Sequence, residues 1–130
     1  MTNSSQIKII DTKNAPAAIG PYSQAILANG FLYTSGQIPI NPASGLIEGS
    51  TIEEQAEQAI NNLAEILKAA GSDFSKVVKT SCFIKNISDF AAFNAVYEKY
   101  FISKPARSCF EVSALPKNAL VEIEVVALVD

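Results

Sequence analysis

"KVVKTSCFIKNISDFAAFNAVYEKYFISKPARSCFEV", residues 76–112, holds three runs of different periodicity, and their order decides the fold class. "KVVKTSCFI" is rich in β-branched and apolar residues and reads as a strand. From about Asp89 to Phe101 the apolar residues Phe90, Phe93, Tyr97, Tyr100 and Phe101 recur at helical spacing, with Ser88 in the capping position and Pro105 beyond the end. "ARSCFEV" then returns to period two, placing Ala106, Ser108, Phe110 and Val112 on one face and Arg107, Cys109 and Glu111 on the other.

Working outward, "QIKIID" near the start is a short strand, and "NAPAAIGPY" breaks the chain with two prolines and a glycine. "YSQAILANGFLYTSGQI" reads as two strands joined at Asn29-Gly30, a two-residue hairpin signal, and "PINPASGLIEGS" as loop. Between Thr51 and Ala70, Ile52, Ala56, Ala59, Ile60, Leu63, Leu67 and Ala70 form one face of an amphipathic helix. Ser50 with Glu53 offers a capping box and Gly71 a stop. After the turn "LPKN", the strand "LVEIEVVALV" puts Val121, Ile123, Val125, Ala127 and Val129 on one face and Glu122, Glu124, Val126 and Leu128 on the other. The arginine and several carboxylates are thereby expected on the less apolar sheet face.

Strands, helix, strand, helix, strands is an α+β order with helices packed on one sheet face. Two helices cover only one face of a sheet of about six strands, yet the second face carries Val126 and Leu128. Another copy of the chain is the economical cover.

At 130 residues and 48% hydrophobic, the sequence suits a single domain, 1–130, with a real core. No apolar run approaches the ~18 residues of a membrane span, and "MTNSSQIKII" lacks a signal-peptide layout, so a cytoplasmic protein without membrane partners is expected. Cys82 and Cys109 are read as free thiols. Histidine is absent, which removes Ser-His and Cys-His pairs, histidine bases and histidine metal sites. Two cysteines without zinc spacing leave no metal cage, and six singly scattered glycines leave no phosphate loop or dinucleotide fingerprint, so no cofactor is expected. A net charge of -3 with dispersed lysines gives no stripe for nucleic acid. Small-molecule chemistry using Arg, carboxylates, Tyr, Cys and backbone groups remains.

Arg107 is the one arginine among ten basic residues. Its planar fork suits bidentate capture of a carboxylate or phosphate, the alternative being an ordinary ion pair. Asn94 lies in the second helix's apolar stripe, about 40° from Phe90 around the axis. It needs a partner there, either local backbone or water, or a ligand.

"APAAIGPYSQA" (15–25), "SGQIP" (35–39), "VVKTSCFIKNISDFAAFNAVYEKYF" (77–101), "KPARSCFEV" (104–112) and "LPKNALVEIEVVAL" (115–128) together resemble the Rid (YjgF) family, and within it the RidA enamine/imine deaminases. The resemblance implies a chorismate-mutase-like fold: a six-stranded, mainly antiparallel sheet with two helices on one face, assembled as a homotrimer with clefts between subunits. It also implies hydrolysis of 2-iminobutanoate and 2-iminopropanoate, formed from enamines released by pyridoxal-phosphate dehydratases, to 2-oxo acids and ammonia. Carried over residue by residue, the family's arginine falls on Arg107, its cysteine on Cys109, its late-strand glutamate on Glu122, its early tyrosine on Tyr22, its serine-glycine pair on Ser35 and Gly36, and its helix asparagine on Asn94.

On that reading Arg107 fixes the substrate carboxylate and Glu122 orients or deprotonates a water. Gly36 permits close approach of the substrate to backbone or marks a bulge. Tyr22 closes the cleft or packs in the core. Cys109 lines the pocket, with no base evident to make its thiolate, and Glu111 and Glu124 are structural. Competing readings are a trimer that binds 2-oxo or amino acids without turnover, an RNA-cutting translation inhibitor and a holdase-like chaperone.

Overall fold

The computed structural model describes residues 6–130, so the first five residues of the stretch read above as lacking a signal layout lie outside the description. Strand β1 (Lys8–Ile10) pairs with β2 (Ala25–Ala28), which turns at Asn29-Gly30 into β3 (Phe31–Thr34). Both turn residues have positive φ, 53° and 78°, as the hairpin signal requires. The stretch expected to be loop contains a two-stranded ribbon, β4 (Ile40–Asn41) and β5 (Leu46–Ile47). Strands this short carry too few residues to register as alternation.

Helix α1 (Ile52–Ala69) starts one residue later than expected. Its capping box is Thr51 with Glu54, not Ser50 with Glu53; the Thr51 hydroxyl accepts from the Glu54 N–H and the Glu54 carboxylate accepts from the Thr51 N–H. The correct pair leaves Ile52 as the first helical residue, already buried. Gly71, at φ 80°, ends the helix as expected. Two polar residues inside the buried face were not anticipated. Gln55 donates to the Gly49 carbonyl and accepts from the Leu120 N–H, while Asn62 donates to the carbonyls of Ile38 and Ile40. Both tie the helix to loops and leave no buried side-chain polar atom unpaired among the described residues.

Strand β6 (Val77–Ile84) leads through a short 3-10 turn into α2 (Phe90–Tyr100) and then β7 (Ala106–Glu111). Ser88 does not cap α2; it lies inside the 3-10 turn, whose first N–H, that of Ile87, donates to Glu111 Oε1 at 2.8 Å. Glu111 is structural, as expected. The last strand, β8 (Val121–Leu128), follows a turn at 116–118.

The main sheet has the order β1-β2-β3-β8-β6-β7 and is antiparallel except for the β6–β7 pair. That pair is parallel because a helix crosses over between its strands. Both helices cover one face, where Leu32, Cys82, Ile84, Val121, Ile123, Val125 and Ala127 pack with Ile60, Leu63, Ile66, Phe93 and Phe101. The other face is covered by no layer among the described residues and exposes Phe31, Tyr33, Phe110 and Leu128. No helix among the described residues is long and apolar enough to cross a membrane.

The strand register corrects one expectation. Arg107 pairs with Thr80 and Cys109 with Cys82, and Thr80 and Cys82 are buried under the helices. Glu122 pairs instead with Phe83, and Glu124 with Ser81, on the uncovered face. Arg107 and the late-strand carboxylates thus occupy opposite faces. Alternation along one strand sorts its residues into two sets but does not say which set faces the helices.

Candidate functional site

The sequence-predicted residues fall into two groups. The first surrounds Arg107. Its Nη1 donates to Asn94 Oδ1 at 2.7 Å, and its Cζ lies 4.7 Å from the Tyr97 ring centre and 5.5 Å from that of Phe90. A helix repeat of 3.6 explains the bracket: residues 90, 94 and 97 fall on one side of α2, above the edge strand β7. The Tyr97 hydroxyl is in turn hydrogen-bonded to the buried Thr80 Oγ1 at 2.7 Å. Glu98, Lys104 and Pro105 complete the cleft wall.

The guanidinium is therefore held between one hydrogen bond and two aromatic rings. Among the described residues no carboxylate lies within ion-pair distance of it; the recorded ion pair is Lys76 with Asp130. The ion-pair alternative for Arg107 finds no partner among the described residues. Asn94 braces the arginine through its Oδ1. Of five guanidinium donors, the bond to Asn94 uses one.

Cys109, two residues along β7, opens toward the same side. The hydrogen bond from Cys82 holds its thiol down to about 7 against the effect of burial, and the Arg107 charge adds to the lowering. The missing general base is replaced by a donor and a cation. Cys82, which makes that bond and is buried, is pushed up.

The second group gathers where β3 ends beside β8. Tyr22, Ser35, Gly36 and Glu122 line one cleft with Ile38 and Pro116. Ser35 is braced twice, its hydroxyl donating to the Ser23 carbonyl at 2.5 Å and its N–H to the Gln24 carbonyl at 2.9 Å. Gln24, buried, pins the preceding loop through the carbonyls of Thr12 and Pro16. Gly36 has a steric reason: a Cβ there would come within 1.9 Å of Glu122 Oε2, so only glycine lets that carboxylate lie against the chain. Burial first, and the neighbouring Glu124 charge second, hold the Glu122 carboxyl above its ordinary value. Tyr22 is 52% exposed and is not core. Beside it Pro16, Ile19 and Ile38 extend the cleft as an apolar wall.

Sequence reasoning missed Thr80, Tyr97 as a ring support, and Pro116. Tyr97 was hidden in an apolar stripe, where its hydroxyl was the available signal.

The Endoribonuclease L-PSP family model matches residues 12–129, nearly the whole described chain. The chain belongs to this family, the Rid proteins. A Rid relative from Lactococcus lactis, described as a candidate regulator, AldR, is 58% identical over 122 residues, covering 93% of this chain and 97% of its own. The goat protein named 2-iminobutanoate/2-iminopropanoate deaminase is 52% identical over 122 residues, covering 93% of this chain and 89% of its own. Among solved structures, a Rid-family protein from Yersinia pestis, YyfA, superposes with a TM-score of 0.93 at 54% identity, covering 95% of this chain and all of its own. The Rid fold accounts for the six-stranded sheet with two helices.

Proposed function

We propose that this Rid protein hydrolyses short 2-imino acids, 2-iminopropanoate and 2-iminobutanoate and their enamine forms, to 2-oxo acids and ammonia, in clefts between the copies of a homotrimer. The observation that carries the reading is Arg107: a guanidinium braced by Asn94, Tyr97 and Phe90, facing a cleft, with no carboxylate among the described residues in ion-pair contact with it. Such a group is prepared for an anionic ligand, and a planar carboxylate matches its fork. The relatives named as deaminases at about half identity support the same chemistry.

The reaction needs little from the protein. A protonated imine carbon is already electrophilic, and Arg107 orients it by gripping the adjacent carboxylate. Glu122 accepts a proton as water adds to that carbon, and its raised pKa makes it a better base than an ordinary glutamate. The tetrahedral carbinolamine then expels ammonia as the oxygen loses its proton, leaving the 2-oxo acid. No covalent enzyme intermediate is required.

Arg107 and Glu122 lie on opposite sheet faces of one copy, so a working pair takes one residue from each of two copies. The uncovered sheet face, with Tyr33, Phe110 and Leu128 exposed, is the surface for that contact. The family description as an endoribonuclease points to a second activity. Against it stand a net charge of -3 and the absence of histidine.

The test generates the imine in place with a threonine dehydratase and follows 2-oxobutanoate and ammonia against the spontaneous rate. Acceleration in proportion to added protein is expected. A rate equal to the spontaneous one, with saturable 2-oxo acid binding intact, would replace the enzyme by a binding protein.

A further inference from the structure

The strand that carries Arg107 also carries chemistry that imine hydrolysis leaves unused. Cys82 of β6 and Cys109 of β7 are direct partners in the parallel ladder, with both side chains on the helix-covered face. Neighbouring strands lie about 4.8 Å apart, inside the ~4.4–6.8 Å span of Cα atoms that a disulfide can bridge. Access to the two thiols is unequal: Cys82 is fully buried and Cys109 half-buried, two residues from Arg107 along β7. β7 is the edge strand, bonded to a neighbour on one side only, so it can shift to accommodate a new bond.

We propose that Cys109 is a peroxide-reactive thiol whose oxidised form is resolved by Cys82, giving an intrachain Cys82–Cys109 disulfide between β6 and β7. The Cys109 thiolate attacks one oxygen of hydrogen peroxide or an alkyl hydroperoxide. An S–O bond forms as the O–O bond breaks, and the departing hydroxide or alkoxide takes a proton. Cys109 is now a sulfenic acid, oxidised by two electrons, and the peroxide is reduced. The Cys82 sulfur then attacks Cys109, the S–O bond breaks, and the Cys82 proton leaves with the hydroxide as water. Two thiols and one peroxide become a disulfide and two waters, or a water and an alcohol.

The surroundings set the order of the steps. The bond from Cys82 and the charge of Arg107 hold Cys109 at about 7, so much of it is thiolate at neutral pH. Cys82 stays a buried thiol until Cys109 has lost its negative charge. A low-pKa, accessible cysteine beside a second thiol is the arrangement that stops oxidation at a reversible stage.

The experiment treats reduced, full-length protein with stoichiometric hydrogen peroxide at neutral pH, then measures intact mass and maps peptides without reduction. The expected product is lighter by two hydrogens per chain, joins the Cys82 and Cys109 peptides, and returns to the starting mass with dithiothreitol. Cys82→Ala should instead yield a Cys109 sulfenic acid that dimedone captures, and should proceed to the sulfinic acid. The parent chain decides the matter even if that variant does not fold: a Cys109 sulfinic acid as its first stable product, disulfides only between chains, or an unreactive Cys109 overturns the proposal. None of these readouts depends on what the cleft hydrolyses.

Discussion

Arg107→Lys keeps the positive charge but loses the fork, and with it the planar group that lies near the Tyr97 and Phe90 rings. Each charge-assisted hydrogen bond lost should weaken anchoring by about 1.5–3 kcal/mol, roughly ten- to a hundredfold in kcat/KM. The dehydratase-coupled assay checks this, and Arg107→Ala should fall further. Glu122 supplies a pH test. A base works deprotonated, so kcat/KM should climb as pH rises through a pKa above the ordinary carboxylate range, and Glu124→Gln should move that limb to lower pH by removing a like charge. For stability the sign is opposite. A carboxyl raised in the fold binds its proton more tightly there, so its contribution declines as pH rises from the unfolded value through the folded one. Urea titrations of the parent and Glu122→Gln across that window should diverge, the parent losing ground with rising pH.

At the scale of elements, α2 works as a bracket whose reach is set by β6. The Thr80–Tyr97 bond fixes the ring on which the guanidinium rests. Tyr97→Phe keeps the ring but strands a buried Thr80 hydroxyl, so it should lower stability by about 1–3 kcal/mol while changing KM only a few-fold. Tyr97→Leu removes the platform and should raise KM far more than it lowers kcat. Equal KM values for the two variants would make Tyr97 plain core. The same elements show what the sequence could disclose. Helical spacing and the Asn29-Gly30 turn were legible because each has a local periodicity or a required φ. The residues that share a side of β7 and of β8 were legible too. Which side each set takes was not, because it depends on the parallel register of β6 and β7, a pairing between segments 27 residues apart, as in Thr80 with Arg107. The Thr51–Glu54 cap was missed by one residue because Ser50 and Thr51 are both capping residues followed three positions later by glutamate. Arg107 stood out by rarity, but its Asn94 brace is a three-dimensional fact.

For the whole molecule, the proposed assembly predicts three chains per particle by light scattering at micromolar concentration, with the uncovered sheet face at the contact. Replacing exposed Phe110 or Tyr33 by a charged residue should dissociate the particle and abolish imine hydrolysis together, leaving the fold of the separate chain recognisable by circular dichroism. An active, stable monomer would remove the shared cleft.

The placement of Arg107 and Glu122 on opposite faces of one sheet has a genetic corollary. In the proposed assembly, an allele lacking the arginine and an allele lacking the glutamate would damage different halves of every cleft. Unfolded and reassembled together in equal amounts, Arg107→Ala and Glu122→Gln chains should restore roughly a quarter of the clefts, those in which each copy contributes its undamaged residue. Two alleles hitting the same half, such as Arg107→Ala with a second substitution at Asn94, should never rescue one another. Complementation between two inactive parents would thus follow from which way β7 and β8, on either side of β6, turn their side chains.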